Sequence, residues 1–255
     1  MTKLSVVIIA KNEAKNIGNA LESVSWADDI VVVDSGSTDT TIEIAKRYTD
    51  RVTAREWAGY GAQKDYAAGL ALNDWVLSLD ADERISSSLA SEIRDLLQNG
   101  PDKFGYRIPR VTHYLGRWIR STDWYPDYQL RLFDRRVARW NRLPVHESVD
   151  NIRLTEVGHL RGEIEHFPYH EISDHLDTID HYTSLAAAHM QSSGRKVGWL
   201  DLVSRAPVAF VRNYIVRGGY KDGLPGLMVS VLNTHYVFLK FAKLWEKQHT
   251  KSDEP

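Results

Sequence analysis

There is no cysteine in this chain of 255 residues. Disulfide bridges and thiolate metal sites are therefore excluded, and a reducing compartment fits. No stretch approaches the roughly 18 uninterrupted apolar residues that a spanning helix needs, so no membrane span is expected. Neither sign of charge is in large excess. The formal net charge is −2, which makes no case for nucleic-acid binding. Internal repeats are missing, and the polar tail after Lys247 is the one low-complexity stretch, expected to be disordered. A signal peptide is not expected either. The apolar run Leu4–Ala10 is short, meets Lys11-Asn12-Glu13 at once and lacks a small-residue cleavage site, so it reads as a first core strand.

What is present is an ordinary globular composition, 43% hydrophobic and 26% charged. The length suits one large domain, or a domain with a substantial appendage. Eight tryptophans are present, and they crowd the chain after Gly116.

The first half alternates strand and helix signals. Leu4–Ala10 is β-rich, and Asn16–Val24 has apolar residues at helical spacing. Ile30–Val33 is a second buried run, ending at Asp34. Thr40 and Glu43 have the spacing of a capping box, which predicts a helix running to Tyr48. Arg51–Glu56 reads as a strand and Gly61–Leu72 as a helix. Trp75–Leu79 is the next strand, and Leu89–Leu97 the next helix, stopped by Gly100-Pro101. Such alternation predicts a parallel sheet with helices on both faces. From about Phe104 the texture changes to short strands, Gly105–Val111 and Gln129–Phe133, interleaved with Arg, Trp and Tyr. A mixed-sheet region is expected there. After Ser173 the chain turns helical over Leu176–Met190, Leu200–Val216 and Leu224–Trp245. The predicted organisation is one domain over 1–172, in two halves (1–100 and 101–172). A helical region over 173–247 and a flexible tail over 248–255 follow.

The chemistry concentrates at strand ends. Asp80-Ala81-Asp82 closes the run Trp75–Leu79. Residues two apart in extended backbone point to one side, so two repelling carboxylates meet where the strand emerges. A hard divalent cation that keeps waters and shares substrate phosphates answers that repulsion. A solvated acidic turn is the plain alternative. Lys11-Asn12-Glu13 and Asp34 also follow strand ends, where ligands bind in such sheets.

Four pieces, in order, resemble family 2 glycosyltransferases of the GT-A fold: Leu4-Ser-Val-Val-Ile-Ile-Ala-Lys-Asn-Glu13, Val31-Val-Val-Asp-Ser-Gly-Ser-Thr-Asp39, Gly61-Ala-Gln-Lys64 and Leu79-Asp-Ala-Asp-Glu83. Three later pieces resemble the bacterial branch that builds lipopolysaccharide inner core, including its β-1,4-glucosyltransferases: Asp127-Tyr-Gln-Leu-Arg-Leu-Phe133, Val145-His-Glu147 and Gly219-Tyr-Lys-Asp-Gly-Leu-Pro-Gly226. The resemblance implies an α/β, Rossmann-like mixed sheet flanked by helices, with a C-terminal helical appendage. It implies a single inverting displacement from a UDP-sugar, assisted by Mg²⁺ or Mn²⁺.

It also implies roles. The backbone near Ala10, with Asn12 and Glu13, lines the nucleotide pocket. Asp34 binds the uracil or ribose, and Gln63 and Lys64 close over the nucleotide and diphosphate. Asp80 contacts ribose or metal-bound water, and Asp82 holds the metal. Asp127 is the first choice for the base that takes the acceptor proton, although the family's Glu-Asp pair reads Pro126-Asp127 here. A turn residue after proline is its plain alternative. Glu147 is the runner-up base, and His146 beside it is a metal or phosphate contact or a loop histidine. His166 and His170 have aromatic neighbours that favour packing over metal ligation. Arg131, Arg135, Arg136, Arg139 and Arg142 read as solvated surface or as contacts to an anionic acceptor. If Gln129–Phe133 is a strand, Arg131 shares a face with Gln129 and Phe133 and can enter the site.

The implied partners are a UDP-sugar and a lipopolysaccharide core heptose, with glucose the expected hexose. Capsule repeats, a polyprenyl phosphate or a peptide are the alternative acceptors. The implied location is the cytoplasm. Basic residues beside aromatics suit peripheral contact with the cytoplasmic face of the inner membrane: Leu224–Trp245 carries Lys240 and Lys243, with Lys247 just beyond, and Trp199, Arg205, Arg212 and Arg217 flank another such segment. Packing on the catalytic domain or on a second subunit competes with that reading. A sugar nucleotidyltransferase would place glycines after the first strand, where this chain has Ala-Lys-Asn-Glu. A non-catalytic scaffold would have little reason to keep Asp34, Asp80 and Asp82.

Overall fold

The computed structural model describes residues 2–141 and 147–249. The chain divides into two compact units, Met1–Val111 with Asp127–Phe167, and Thr112–Pro126 with Pro168–Pro255.

The first unit is built on a parallel core. Its strands are Leu4–Ala10 (β1), Asp29–Asp34 (β2), Val52–Ala54 (β3) and Trp75–Asp80 (β4), in the order β3-β2-β1-β4. β1 is buried at every position, as an unbroken apolar run in a central parallel strand should be. Its side chains alternate between two cores. Val6, Ile8 and Ala10 pack on one face of the sheet, and Val7 and Ile9 on the other. Helices Ile17–Ser23 (α1), Thr41–Ala45 (α2) and Tyr60–Leu70 (α3) connect these strands. α2 is shorter than predicted, and Thr40 makes no capping bond. Asp39 takes that role: its carboxylate accepts from Thr41 N at 3.0 Å and from Ala14 N at 3.2 Å.

Beyond β4 the sheet becomes mixed. The short strand Glu83–Ile85 (β5) precedes helix Ser87–Asn99 (α4), which Ser86 caps by accepting from Leu89 N. Gly105–Tyr114 (β6) follows, and Arg117–Ile119 (β7) pairs back on its last residues. Asp127–Asp134 (β8) runs antiparallel to both β4 and β6. Arg139–Trp140 (β9) and Val149–Asp150 (β10) form a small antiparallel pair. Val157–His159 (β11) lies beside β6, and Ile164–His166 (β12) pairs antiparallel with β5. The expected α/β mixed sheet with flanking helices is the observed architecture.

In the second unit, Ile172–Ser192 (α5), Trp199–Phe210 (α6) and Gly223–His249 (α7) form the helical appendage. α6 continues in wider turns over Val211–Val216. α7 packs against both α5 and α6, and it runs through His249, past the expected start of the tail. Phe241 and Leu244 of α7 meet Ala187 and Val197 in one cluster. Val229 meets Tyr114 and Ile119 in another. His175 is buried against these aromatics, stacked on Tyr169 and within 3.0 Å of the Tyr114 hydroxyl. Burial pulls its imidazole down to about 4, so it serves as a neutral packing group.

Candidate active site

Parallel register brings the strand ends together. Ala10 pairs with Asp34, and Ile9 with Asp80. The predicted residues therefore share one edge of the sheet, at the carboxyl ends of β1, β2 and β4. Asn12 turns the chain with a φ of 56°, which asparagine tolerates better than most residues. Its amide side chain accepts from Thr38 N at 2.8 Å, and its own N–H donates to Ser37 Oγ at 2.8 Å. Buried Asp34 accepts from Gly36 N at 2.8 Å and Ser37 N at 2.9 Å, so it holds its own turn. A carboxylate has about four acceptor sites, and the turn leaves room for a further donor. Gln63 is fully buried and donates to Ser35 Oγ at 2.9 Å.

The second group of residues is a carboxylate–cation network. Lys64 lies on the inner face of α3 with Gln63, Ala67 and Ala68. Its ammonium stands 3.0 Å from Asp80 Oδ1 and 3.3 Å from Glu147 Oε1. Arg131, buried on β8, donates to Asp80 Oδ2 at 2.6 Å and to Glu83 Oε1 at 2.9 Å. Arg110 bridges Glu83 at 2.9 Å and Asp127 at 2.7 Å. Gln129 also donates to Asp127, at 2.6 Å. Burial alone would push the Asp80 carboxyl up, but the charges of Arg131 and Lys64 outweigh it and hold it well below the usual range. The same carboxylates outweigh burial at Arg131 and raise its guanidinium.

Arg131 reaches this network through an irregularity in the strand. The β6–β8 register shifts between Tyr106, opposite Leu132, and Arg107, opposite Leu130. Arg131 is the extra residue of a bulge, a device that re-aims a side chain. In consequence Leu130 and Phe133, three apart, pack in the same core.

Asp82 does not share a cation with Asp80. Its Oδ2 lies 3.2 Å from His166 Nε2. Strand pairing makes this contact, since His166 stands opposite Glu83 and Phe167 N donates to Asp82 O at 2.9 Å. Burial raises the Asp82 carboxyl, while the charge and hydrogen bond of His166 more than offset it and leave it lowered. Among the described residues no three carboxylate or imidazole groups converge as a metal centre. Asp82 and His166 nonetheless form a two-donor pair. That suits a hard ion which draws its remaining ligands from substrate phosphates and water. Glu13 stands nearby, held by Asn16 Nδ2 at 3.0 Å. Burial, with the charges of Asp82, Asp39 and Asp80, pushes its carboxyl up to about 7 against that hydrogen bond.

Thus the structure joins Lys64, Asp80, Arg131, Asp127 and Glu147 through shared partners, and sets Ala10, Asn12, Asp34 and Gln63 along the same strand ends. His146 and Arg142 lie outside the described residues. Three further residues, His166, Glu83 and Arg110, join the site although spacing alone does not place them there. Arg110 stands opposite Asp127 in the β6–β8 register, a relation that becomes visible only once the strands are paired.

Comparison with known proteins identifies relatives of this chain. A lipopolysaccharide core biosynthesis glycosyltransferase, LpsC, of Rhizobium meliloti (strain 1021) is 29% identical over 98% of this chain and 94% of its own length. An uncharacterized glycosyltransferase of Rickettsia typhi (strain ATCC VR-144 / Wilmington) is 30% identical over 96% of this chain and 88% of its own. Among solved structures, glucosyl-3-phosphoglycerate synthase from Mycobacterium tuberculosis, crystallised with Mg²⁺ and UDP, matches 45% of this chain and 44% of that one. The identity is 26% and the TM-score 0.36. Residues 5–160 match the family described as glycosyl transferase family 2, and the chain belongs to that family.

Proposed function

We propose that this glycosyltransferase moves a hexose, glucose in our reading, from a UDP-sugar to a heptose of the lipopolysaccharide core. It would do so with inversion, at the cytoplasmic face of the inner membrane. The observation that carries the reading is the division of labour at the end of β4. Asp80 is neutralised by Lys64 and Arg131, while Asp82 pairs with His166. The relative that works on lipopolysaccharide core supports the acceptor class.

Ala10, Asn12, Glu13, Asp34 and Gln63 would line the nucleoside pocket, where carboxylates accept from base N–H and ribose hydroxyls. Asp82 and His166 would hold Mg²⁺ or Mn²⁺, and Asp80 would support that pair. Such an ion, when bound, supplies Lewis-acid neutralisation of the leaving diphosphate. Lys64 adds fixed positive charge beside it, and Arg131 keeps Asp80 ionised and in place. Asp127 would take the proton from the acceptor hydroxyl, oriented by Arg110 and Gln129. Attack opposite the leaving group converts an α-linked donor to a β-linked product. Glu147 is the second candidate for the base.

Calorimetric titration with UDP, with and without Mn²⁺ and against GDP and ADP, tests this reading. UDP binding that requires the metal and is lost in Asp82→Ala is the expected result. Metal-independent binding, or full turnover in Asp82→Ala, would remove Asp82 from the site.

A further inference from the structure

A helix on a protein surface normally turns its polar side outward. α6 is apolar on its outward side as well as its inward one. Its inner row is Leu202, Ala206, Ala209 and Asn213. Leu202 packs on the cluster around Phe241 and Leu244, and Asn213 is buried and bonded to Asp123 N at 2.9 Å. The opposite row, at the same helical spacing, is apolar. Leu200, Val203, Val208, Val211 and Ile215 are 47–65% exposed, and Trp199 at the helix start is 71% exposed. The one hydroxyl in that row, Ser204, is turned back onto Leu200 O at 2.6 Å.

The charge around this stripe is mostly positive. Between Arg195 and Lys221 the sequence holds Arg195, Lys196, Arg205, Arg212, Arg217 and Lys221 against a single acid, Asp201, in a chain whose net charge is −2. Asp201 is paired with Arg205, and Asp123 with Arg212 and Arg217, which leaves Arg195, Lys196 and Lys221 in excess. Among the described residues no helix is long and apolar enough to cross a membrane. An apolar stripe with aromatics at its end and cations along its flank matches an anionic bilayer surface, where such a helix lies flat in the interface. A protein partner would have to bring both apolar and acidic surface.

We propose that the outward face of α6, with its extension to Val216, docks the enzyme on an anionic lipid surface. The sequence offers both α6 and α7 for this role, but α7 is the helix that α5 and α6 pack against. The inference gives a physical site to the membrane location in the proposed function, yet its test uses neither donor nor acceptor, so the two can fail separately.

The full chain is sedimented with vesicles of phosphatidylethanolamine and phosphatidylglycerol, and with vesicles of phosphatidylcholine alone. Binding to the anionic vesicles only, weakened at about 0.5 M salt, is expected. Val203→Glu with Val208→Glu should lower it about tenfold or more, and Lys196→Glu with Lys221→Glu should also weaken it. Both variants should keep the wild-type affinity for UDP, which verifies folding. Independently, vesicles should shift the wild-type tryptophan emission to the blue, and Trp199→Phe should reduce that shift. Absent vesicle binding, unchanged binding in the glutamate variants, or an undiminished shift in Trp199→Phe would each overturn the proposal. So would light scattering that shows a dimer which the same variants dissociate, because the face would then belong to a second copy.

Discussion

Asp80 and Asp82 are two residues apart, yet their partners differ. Asp80 ends a strand and finds Lys64 and Arg131, whereas Asp82 enters the turn and finds His166. Each carboxylate thus has partners of its own. Asp127 is a different kind of carboxylate, with its side chain 30% exposed and fixed by Arg110. Replacing it tests chemistry apart from binding. Asp127→Asn should leave UDP affinity unchanged while turnover falls about 100- to 10,000-fold, the usual contribution of a positioned base. Wild-type turnover in that variant, with loss in Glu147→Gln, would transfer the role to Glu147.

At the scale of elements, two local irregularities do the positioning. The bulge in β8 delivers Arg131 to the network, and α3 turns Gln63 and Lys64 inward together. The motif Gly219–Gly226, by contrast, is an architectural piece. A Cβ on Gly226 would stand 2.0 Å from Gly219 O and 2.9 Å from Asp222 Cβ. Asp222 in turn accepts from Arg120 N at 2.9 Å and Ser121 Oγ at 2.5 Å. A backbone carbonyl cannot move aside cheaply, so Gly226→Ala should destabilise by about 1–3 kcal/mol. Gly69, inside α3 with open space around its Cα, is the contrast. Gly69→Ala should stabilise by up to about 1 kcal/mol. Urea unfolding of both variants gives the comparison, and equal effects would show that the close approach at Gly226 is not tight.

For the molecule as a whole, one half-buried group couples the site to stability. Glu13 titrates at about 7 in the folded chain against an ordinary 4.5. Between those values the folded state binds its proton more tightly than the unfolded state does. The resulting stability is fully present below 4.5 and is lost as pH rises through about 7. In metal-free protein, the melting temperature should therefore drop between about pH 5 and about pH 8, and drop less in Glu13→Gln. Parallel declines in the two proteins would mean that Glu13 is solvated in the folded state.

Much of this was open to a reader of the sequence. Buried runs such as Leu4–Ala10 and Trp75–Leu79 mark core strands by periodicity. Asn12, Asp34 and Asp80 lie beside those runs along the chain, so covalent proximity alone put them at strand ends. His166, Glu83 and Arg110 were hidden because strand register, not spacing, brings them to Asp82, Arg131 and Asp127. Arg131 took its place through a bulge that no alternation pattern predicts. The outward stripe of α6 is the plainest case. Its period can be read from the letters, but a stripe facing a core and one facing solvent are spelled alike. Only the packing of Leu202 and Asn213 toward the rest of the helical unit settles which side is left in the open.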